Sequence, residues 1–508
     1  MFSRINSVGI LGMDAYMVAV EADAKRRAEM PSFNIVGLPD TAVKESRDRV
    51  MAAIKNCNFK LMPSKVIVNL APADTKKEGA VYDLPMLISV LKAHDILKDT
   101  YDDCAFLGEL SLDGTVREVK GVLPMAICAK EHNIKRIFVP SGNASECSII
   151  DGIEVYPVKH ALDVVAHLNG TKPLAPLPPL DFNEFSATDD VDFEEVKGQH
   201  IAKKAMEIAA AGGHNVLLIG PPGSGKSMLS KRLPTILPKL SFKEALETTK
   251  IYSIAGLLDE KTPIINKRPF RSPHHSITSQ GLAGGGAIPR PGEISLSHNG
   301  VLFLDELPEF PRKTMEVLRQ PLEDGTITLS RAMASLTYPC SITLIAAMNP
   351  CPCGYYGHPT KQCICSDNTV RKYLGRISGP LLDRLDLHVE VPAVDYSELS
   401  NTTNSESSKT IRERVLKARL IQEKRFLGTN ITFNAHITPK LLHKFCPLSN
   451  DAEMLLKNAF ESLSMSGRAY DRILKVARTI ADLDGSEVIE QNHIAEALQF
   501  RALDRKYF

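Results

Sequence analysis

The 508-residue sequence has almost no net charge: 61 Lys and Arg stand against 60 Asp and Glu, a formal +1. That removes any global electrostatic argument for a polyanionic partner, so a nucleic-acid site must be a local patch. No apolar run approaches ~20 residues, which excludes a membrane-spanning helix. The opening residues Met1-Phe2-Ser3-Arg4-Ile5 carry no apolar core of a secretory signal. The expectation is a cytoplasmic protein with reduced thiols and no membrane partner. Composition is otherwise that of an ordinary globular chain, and no fixed-period repeat is visible. Of the ten cysteines, Cys57, Cys104, Cys128, Cys147, Cys340 and Cys446 are scattered and read as small core or surface residues.

Three blocks are expected. Residues 1–168 alternate strand-like runs (Lys65 to Leu70, Arg136 to Val139) with helical patterns (Thr41 to Asn56, Leu84 to Ala93, Pro124 to His132), which predicts a mixed α/β domain. Residues 169–190 include Thr171 to Leu180, whose prolines suit an extended linker. Residues 191–395 again alternate strands and helices and form the second block. Residues 396–410 are rich in Ser, Thr and Asn and read as a flexible connection. Residues 411–508 are helix-patterned. The fold class is α/β, with a helical domain at the end.

The chemistry is concentrated in the second block. Gly220-Pro221-Pro222-Gly223-Ser224-Gly225-Lys226-Ser227 follows the apolar run Asn215 to Ile219 and precedes a helical pattern. Strand, Gly-rich loop and helix in that order form a phosphate-binding loop. Its backbone N–H groups curl around phosphate oxygens, and the helix N-terminus adds partial positive charge. Lys226 is expected to reach the β- and γ-phosphates of ATP, and Ser227 to hold Mg²⁺. A second apolar strand, Val301 to Leu304, ends in Asp305-Glu306. Asp305 suits the Mg²⁺ shell and Glu306 a general base for the attacking water. A third, Thr343 to Met348, ends in Asn349, an amide able to orient that water or touch the γ-phosphate. Arg384, between Asp383 and Asp386, has two readings: a surface ion pair, or an arginine finger that reaches a neighbouring subunit's nucleotide.

Cys351-Pro352-Cys353 and Cys363-Ile364-Cys365 supply four thiolates, a complete tetrahedral set for a structural Zn²⁺. The Cys-x-Cys spacing is tighter than usual, so a redox pair or unrelated cysteines stay open, as does His358 in place of one thiolate. His274 and His275 are left between metal ligation, polar packing and a nucleotide relay.

The order phosphate loop, Asp-Glu, Asn, Arg, helical domain resembles an AAA+ ATPase. Phe193 to Gln199 resembles the segment that family places beside adenine. Arg268-Pro269-Phe270-Arg271-Ser272-Pro273-His274-His275 and Gly292 to Gly300 are narrower. They resemble the magnesium-chelatase-like ATPases of the ComM/YifB type, across essentially the whole chain. The resemblance implies a ring, expected to be a hexamer, that translocates on single-stranded or branched DNA and drives branch migration during natural transformation. It places Arg384 at the finger position. It makes Arg468 the sensor-2 arginine, with Arg472 the runner-up and two solvated helix arginines as the plain alternative. Thr326 to Thr337 reads as a hairpin. Related helicases carry a pore hairpin there, which would set Arg331 against DNA phosphate. The Gly-rich segment Gly281 to Gly286, with Arg290, is a second candidate insert.

The first block resembles the Lon protease C-terminal domain, also found in RadA-like ATPases, on Lys77 to Asp83 and Gly108 to Gly121. A protease would need a serine and a lysine, but the matching positions hold Val81 and Leu123, which can neither attack a peptide nor accept a proton. The domain is therefore expected to be a docking or DNA-binding platform. Two rivals to the DNA motor remain: a non-DNA remodeller such as a metal-chelatase motor subunit, and an ATP-dependent protease.

Overall fold

The computed structural model describes all residues except 27–29, 98, 100, 183–189, 260–261, 287–288, 331–334, 359, 394–404, 464, 504–506 and 508. The chain forms two compact units. The first contains Met1–Ser186, Phe242–Ile265 and Ser330–Thr337; the second contains Ala187–Ser241, Asn266–Leu329 and Tyr338–Phe508. No described helix is long and apolar enough to cross a membrane.

The first unit is built on a seven-stranded mixed sheet, in the order Ser32–Val36, Ser64–Ala71, Asp14–Arg26, Phe2–Leu11, Cys104–Phe106, Arg136–Pro140, Glu154–Val158. Antiparallel pairing joins the second, third and fourth of these, and the remaining pairs are parallel. The helix Asp83–Ala93 is apolar nearly all round and is buried over most of its length. Its first residue, Asp83, is buried too, and pays for that burial with a two-pronged pair to Arg49 (2.6 and 3.1 Å). Val81 and Leu123 are both buried apolar side chains.

Sequence blocks and compact units differ: Ser330–Thr337 falls in the first unit, the helical C-terminal block shares the second unit with the phosphate-loop sheet, and one helix changes unit. The helix Phe242–Ala255 lies inside the ATPase block in sequence, yet clusters with the first unit. The cause is polar as well as apolar. Gly121 N donates to Ser253 O at 3.0 Å, and the Ser253 hydroxyl donates to the buried carboxyl of Glu146. Burial pushes Glu146 above its ordinary range, and donors from Ser253 and Asn143 partly offset it.

The second unit holds a five-stranded sheet in the order Phe270–Arg271, Gly300–Leu304, Ile342–Met348, Val216–Ile219, Leu387–Glu390, parallel throughout. Val216–Ile219 and Gly300–Leu304 are buried at every residue, as continuous apolar runs in a parallel sheet covered on both faces should be. Ile219 pairs with Met348, and Leu304 with Ala346. Gly220, Asp305 and Asn349 therefore all leave the sheet at its C-terminal edge, where open α/β sheets bind ligands.

The helices Ser408–Arg425, Gly467–Leu483 and Gln491–Gln499 share one hydrophobic core with this sheet, through Val415, Ile473, Ile480 and Ile494 among others. A buried polar network fastens them. Asp386 accepts from His214 Nδ1 (3.1 Å), His214 Nε2 bonds Thr479 (2.8 Å), and Asn434 bonds both Thr479 (3.0 Å) and Asp482 (2.8 Å). Burial raises the Asp386 pKa, but the His214 bond and the charges of His214, Arg472 and Lys475 outweigh it and hold the carboxyl at about 2. The folded value is depressed, so the stability it contributes is complete above the ordinary carboxylate value near ~4 and is lost as pH falls towards 2. Asp386→Asn should destabilise this unit by about 3 kcal/mol, because it leaves buried cationic neighbours without their partner. Urea unfolding at pH 7 measures the loss, which should shrink as both proteins are taken towards pH 2.

Candidate active site

The loop Gly220 to Ser227 runs from the strand Val216–Ile219 into the helix Lys226–Ile236. Gly220 is required by close approach: a Cβ there would collide with the carbonyl oxygen of Val391. The Lys226 side chain folds back over the loop. Its ammonium donates to Gly220 O (2.8 Å), Pro221 O (2.9 Å) and Asn349 Oδ1 (3.2 Å). Each of these acceptors is a neutral oxygen. Burial lowers the Lys226 pKa, with Asp305 acting weakly against it. A buried cation held on neutral oxygens is a site prepared for an anion, and the adjoining loop amides and helix N-terminus favour the same charge.

Ser227 Oγ donates to Asp305 Oδ2 at 2.7 Å. A hydroxyl and a carboxylate touching at the loop's edge are the hard oxygen ligands that Mg²⁺ prefers. Lys226, Ser227, Asp305 and Asn349 thus form one connected group, drawn from two strand ends and a helix start. Gln199 adds to it, donating to Pro392 O (2.7 Å) and Ser224 O (3.3 Å), which ties the Phe193 to Gln199 segment to the loop.

Glu306 stands beside this group with a left-handed backbone (φ 53°), an uncommon conformation for a side-chain-bearing residue. Its carboxylate pairs with His275 Nδ1 at 3.2 Å, and the His275 ring lies tilted against His274 with ring centroids 4.0 Å apart. The tandem histidines stand out in the sequence; their tie to Glu306 does not, because it joins two strand ends about thirty residues apart.

Arg384, Arg468 and Arg472 are elsewhere. They line a cleft of about 410 Å³ with Asn215, Ile342 and Asp386, residues at the N-terminal ends of their strands. The seven-residue strand Ile342–Met348 separates that end from Asn349 by about 20 Å. Arg384 pairs with Glu323 and donates to Pro380 O, while its Nε is buried without a partner. Arg468 is exposed and lies 3.4 Å from Asp383. Arg472 is more buried, 3.9 Å from Asp383 and 3.6 Å from Asp386. One face thus carries all three arginines, and the phosphate loop opens at the opposite end of the sheet.

The sulfur atoms of Cys351, Cys353, Cys363 and Cys365 all lie within 4.8 Å of one another. Three of the edges are 3.3, 3.5 and 3.7 Å. A tetrahedral Zn–S₄ centre has edges of about 3.8 Å, so the cluster fits that ion with little adjustment. Burial works against the Cys353 thiolate, but amide donors from Tyr355 and Ile364 and the neighbouring thiols outweigh it, holding that thiol at about 6. His358 is turned to Thr360 and Lys361 and is not among the four.

Arg331 lies outside the described residues. Its flanking strands, Thr326–Ser330 and Ser335–Pro339, pair as a two-stranded ladder.

A five-stranded parallel sheet with a phosphate loop, an Asp-Glu strand end, a neighbouring Asn strand and a helical domain on the same core defines an AAA+ ATPase. Three family profiles match: "Magnesium chelatase, subunit ChlI" over residues 192–399, "Subunit ChlI of Mg-chelatase" over 20–143, and "Magnesium chelatase, subunit ChlI C-terminal" over 405–501. The chain is 44% identical to "Competence protein ComM" of Haemophilus influenzae over 503 residues, 97% of this chain and 96% of that protein. It is 44% identical to "Uncharacterized protein YifB" of Escherichia coli over 505 residues, 99% and 97% of the two chains. "DNA replication licensing factor mcm-6" of Caenorhabditis briggsae is more distant, 23% identical over 312 residues, 59% of this chain and 34% of that protein. The chain belongs to the magnesium-chelatase-like ComM/YifB family.

Proposed function

We propose that this protein is a ring-forming motor that couples ATP hydrolysis to translocation on single-stranded or branched DNA. Branch migration in homologous recombination, in the context of natural transformation, is its expected task. The ring is expected to be a hexamer and to work in the cytoplasm. One observation carries the assembly: the phosphate loop and the three arginines occupy opposite ends of one sheet. A single copy therefore cannot bring Arg384 to its own loop, and head-to-tail packing of copies would bring it to the next one. The similarity to proteins named for competence and DNA replication supports DNA as the track.

The residues take the following roles. Loop amides and Lys226 bind and orient the phosphates. Ser227 and Asp305 would hold Mg²⁺, which would supply positive charge to phosphate oxygens. Glu306 accepts the proton of the attacking water, and Asn349 orients that water. Arg384 stabilises charge developing on the γ-phosphate of the partner subunit's nucleotide. Arg468, or Arg472 beside it, acts in the same direction from the same face. Arg331 contacts DNA phosphate, and Cys351, Cys353, Cys363 and Cys365 hold a structural Zn²⁺.

The family profiles favour a second reading, a metal-chelatase motor subunit that remodels a non-DNA partner. ATPase rates with and without single-stranded and forked DNA separate the two. The DNA motor should be stimulated several-fold by DNA at low salt and should unwind a fork, with Glu306→Gln as the inactive control. Absence of both DNA binding and stimulation would sink it. The protease rival has buried Val81 and Leu123 where a nucleophile and base are needed.

A further inference from the structure

We infer that the four-cysteine loop is a metal-dependent brace for the nucleotide loop, so that Zn²⁺ occupancy sets ATP affinity. The inference rests on the readings of Gly220 to Ser227 as the ATP site and of the four thiols as a Zn²⁺ site.

Three contacts carry it. First, the cysteine loop lies flush against the phosphate loop. Gly354 follows Cys353 directly and has φ 84°. A Cβ on Gly354 would collide with the Pro222 ring, standing 2.8 Å from Cγ. No side chain fits at Gly354 without moving Pro222. Second, Cys351 is two residues beyond Asn349, whose amide oxygen accepts from Lys226 Nζ at 3.2 Å. Cys351 is fully buried, and its carbonyl accepts from Gly354 N at 2.9 Å, closing a tight turn. The first thiol and the Pro222 contact thus belong to one rigid turn. Third, the far end of the loop returns to the same place. Cys365 is followed by Ser366, which caps the helix Asp367–Leu374 by accepting from Thr369 N. The hydroxyl of Tyr373 on that helix faces the backbone of Asn349, whose amide acts on it as a donor. Burial pushes the Tyr373 hydroxyl well up, against that amide.

Residues 351–365 therefore leave the Asn349 strand, touch the phosphate loop, and come back to Asn349 through Tyr373. A loop of fifteen residues has many conformations of similar energy unless something closes it. One ion shared by four thiolates closes it at both ends. Filled, the centre holds Gly354 on Pro222 and fixes the reach of Asn349 to Lys226. Emptied, the loop gains freedom, and the nucleotide loop must be ordered by ATP itself, which weakens binding. The brace is therefore a control point on the ATP site: zinc supply is read as ATP affinity.

The test uses the full-length protein and a fluorescent ribose-labelled ATP, with zinc content measured in parallel. Wild type should carry one zinc per chain and bind the probe. Cys353→Ser should lose the zinc and bind about tenfold more weakly. Wild type treated with a strong chelator should show the same loss, reversed by added zinc. Gly354→Ala should keep its zinc and still bind more weakly, because the methyl group displaces Pro222. Zinc lost with affinity unchanged overturns the brace and leaves both sites standing. Full affinity in Gly354→Ala overturns it as well. A wild type that holds no zinc removes the metal reading, and one that fails to bind the probe removes the ATP reading; each takes the inference with it, by a different measurement.

Discussion

Glu306→Gln is expected to hold ATP and turn it over at least about a hundredfold more slowly, the range for removing a positioned general base. The substitution keeps the side chain's length and its reach to His275, 3.2 Å away, and removes only the negative charge. Nothing that grips phosphate is touched: Lys226 keeps its three oxygens, and Ser227 keeps Asp305. The effect should fall on kcat, with probe binding within about twofold of wild type, because the lost interaction exists mainly in the transition state. Steady-state rates and nucleotide binding on one preparation decide it. An unchanged kcat would transfer the base to another group. A fall in affinity as large as the fall in rate would mean that Glu306 shapes the pocket rather than acting in it.

Arg384→Ala should lower turnover about a thousandfold in the assembled protein, the lower end of what arginine fingers contribute. The geometry adds a sharper expectation than the size of the loss. Arg384 sits with Asn215 and Asp386 at the opposite end of the sheet from Asn349, about 20 Å away along one strand. A finger there serves a different copy. Lys226→Ala has a dead loop and an intact Arg384, whereas Arg384→Ala has the reverse. Each is inactive alone, but a mixture should regain activity where Arg384 of the partner subunit meets an intact loop. Rates across mixing ratios should rise through a maximum near equal amounts. A flat line at the level of the separate variants would return Arg384 to the surface ion pair with Glu323.

The features legible in the sequence were those with a short-range cause. The run Val216 to Ile219 followed by Gly220-Pro221-Pro222-Gly223 can be read locally, because a buried parallel strand and a phosphate loop each impose their own residue types. The helix Thr41–Asn56 has the bounds its periodicity implies, with Asp40 capping Val43 N at 2.7 Å. What the sequence hid depends on pairs brought together from far apart. His275 on Glu306 and Gly354 on Pro222 follow from strand order and loop path, which residue types do not encode. The arginines are the clearest case. Arg384 and Arg468 carry recognisable motifs, but only the sheet's polarity shows that both stand away from the loop. The thiols fall between: their type and spacing proposed a metal, and only the fold put it against Pro222.

The composition of the first unit bears on how the chain is made. Its sheet is complete by Val158, yet Phe242–Ile265 and Ser330–Thr337 belong to it as well. On the ribosome, the amino-terminal unit does not have all of its segments until Thr337 has emerged, after three of the five strands of the phosphate-loop sheet have been made. Until Ser253 has emerged, Glu146 lacks its hydroxyl donor and Gly121 lacks its acceptor. Domains are usually finished one after another during synthesis, which limits the time that unpaired surface is exposed. Here the two are interleaved, with non-local contacts that slow the last step. A fragment ending before residue 242 would lack two segments of the first unit, so completion of that unit is tied to synthesis of the ATPase block that follows it in sequence.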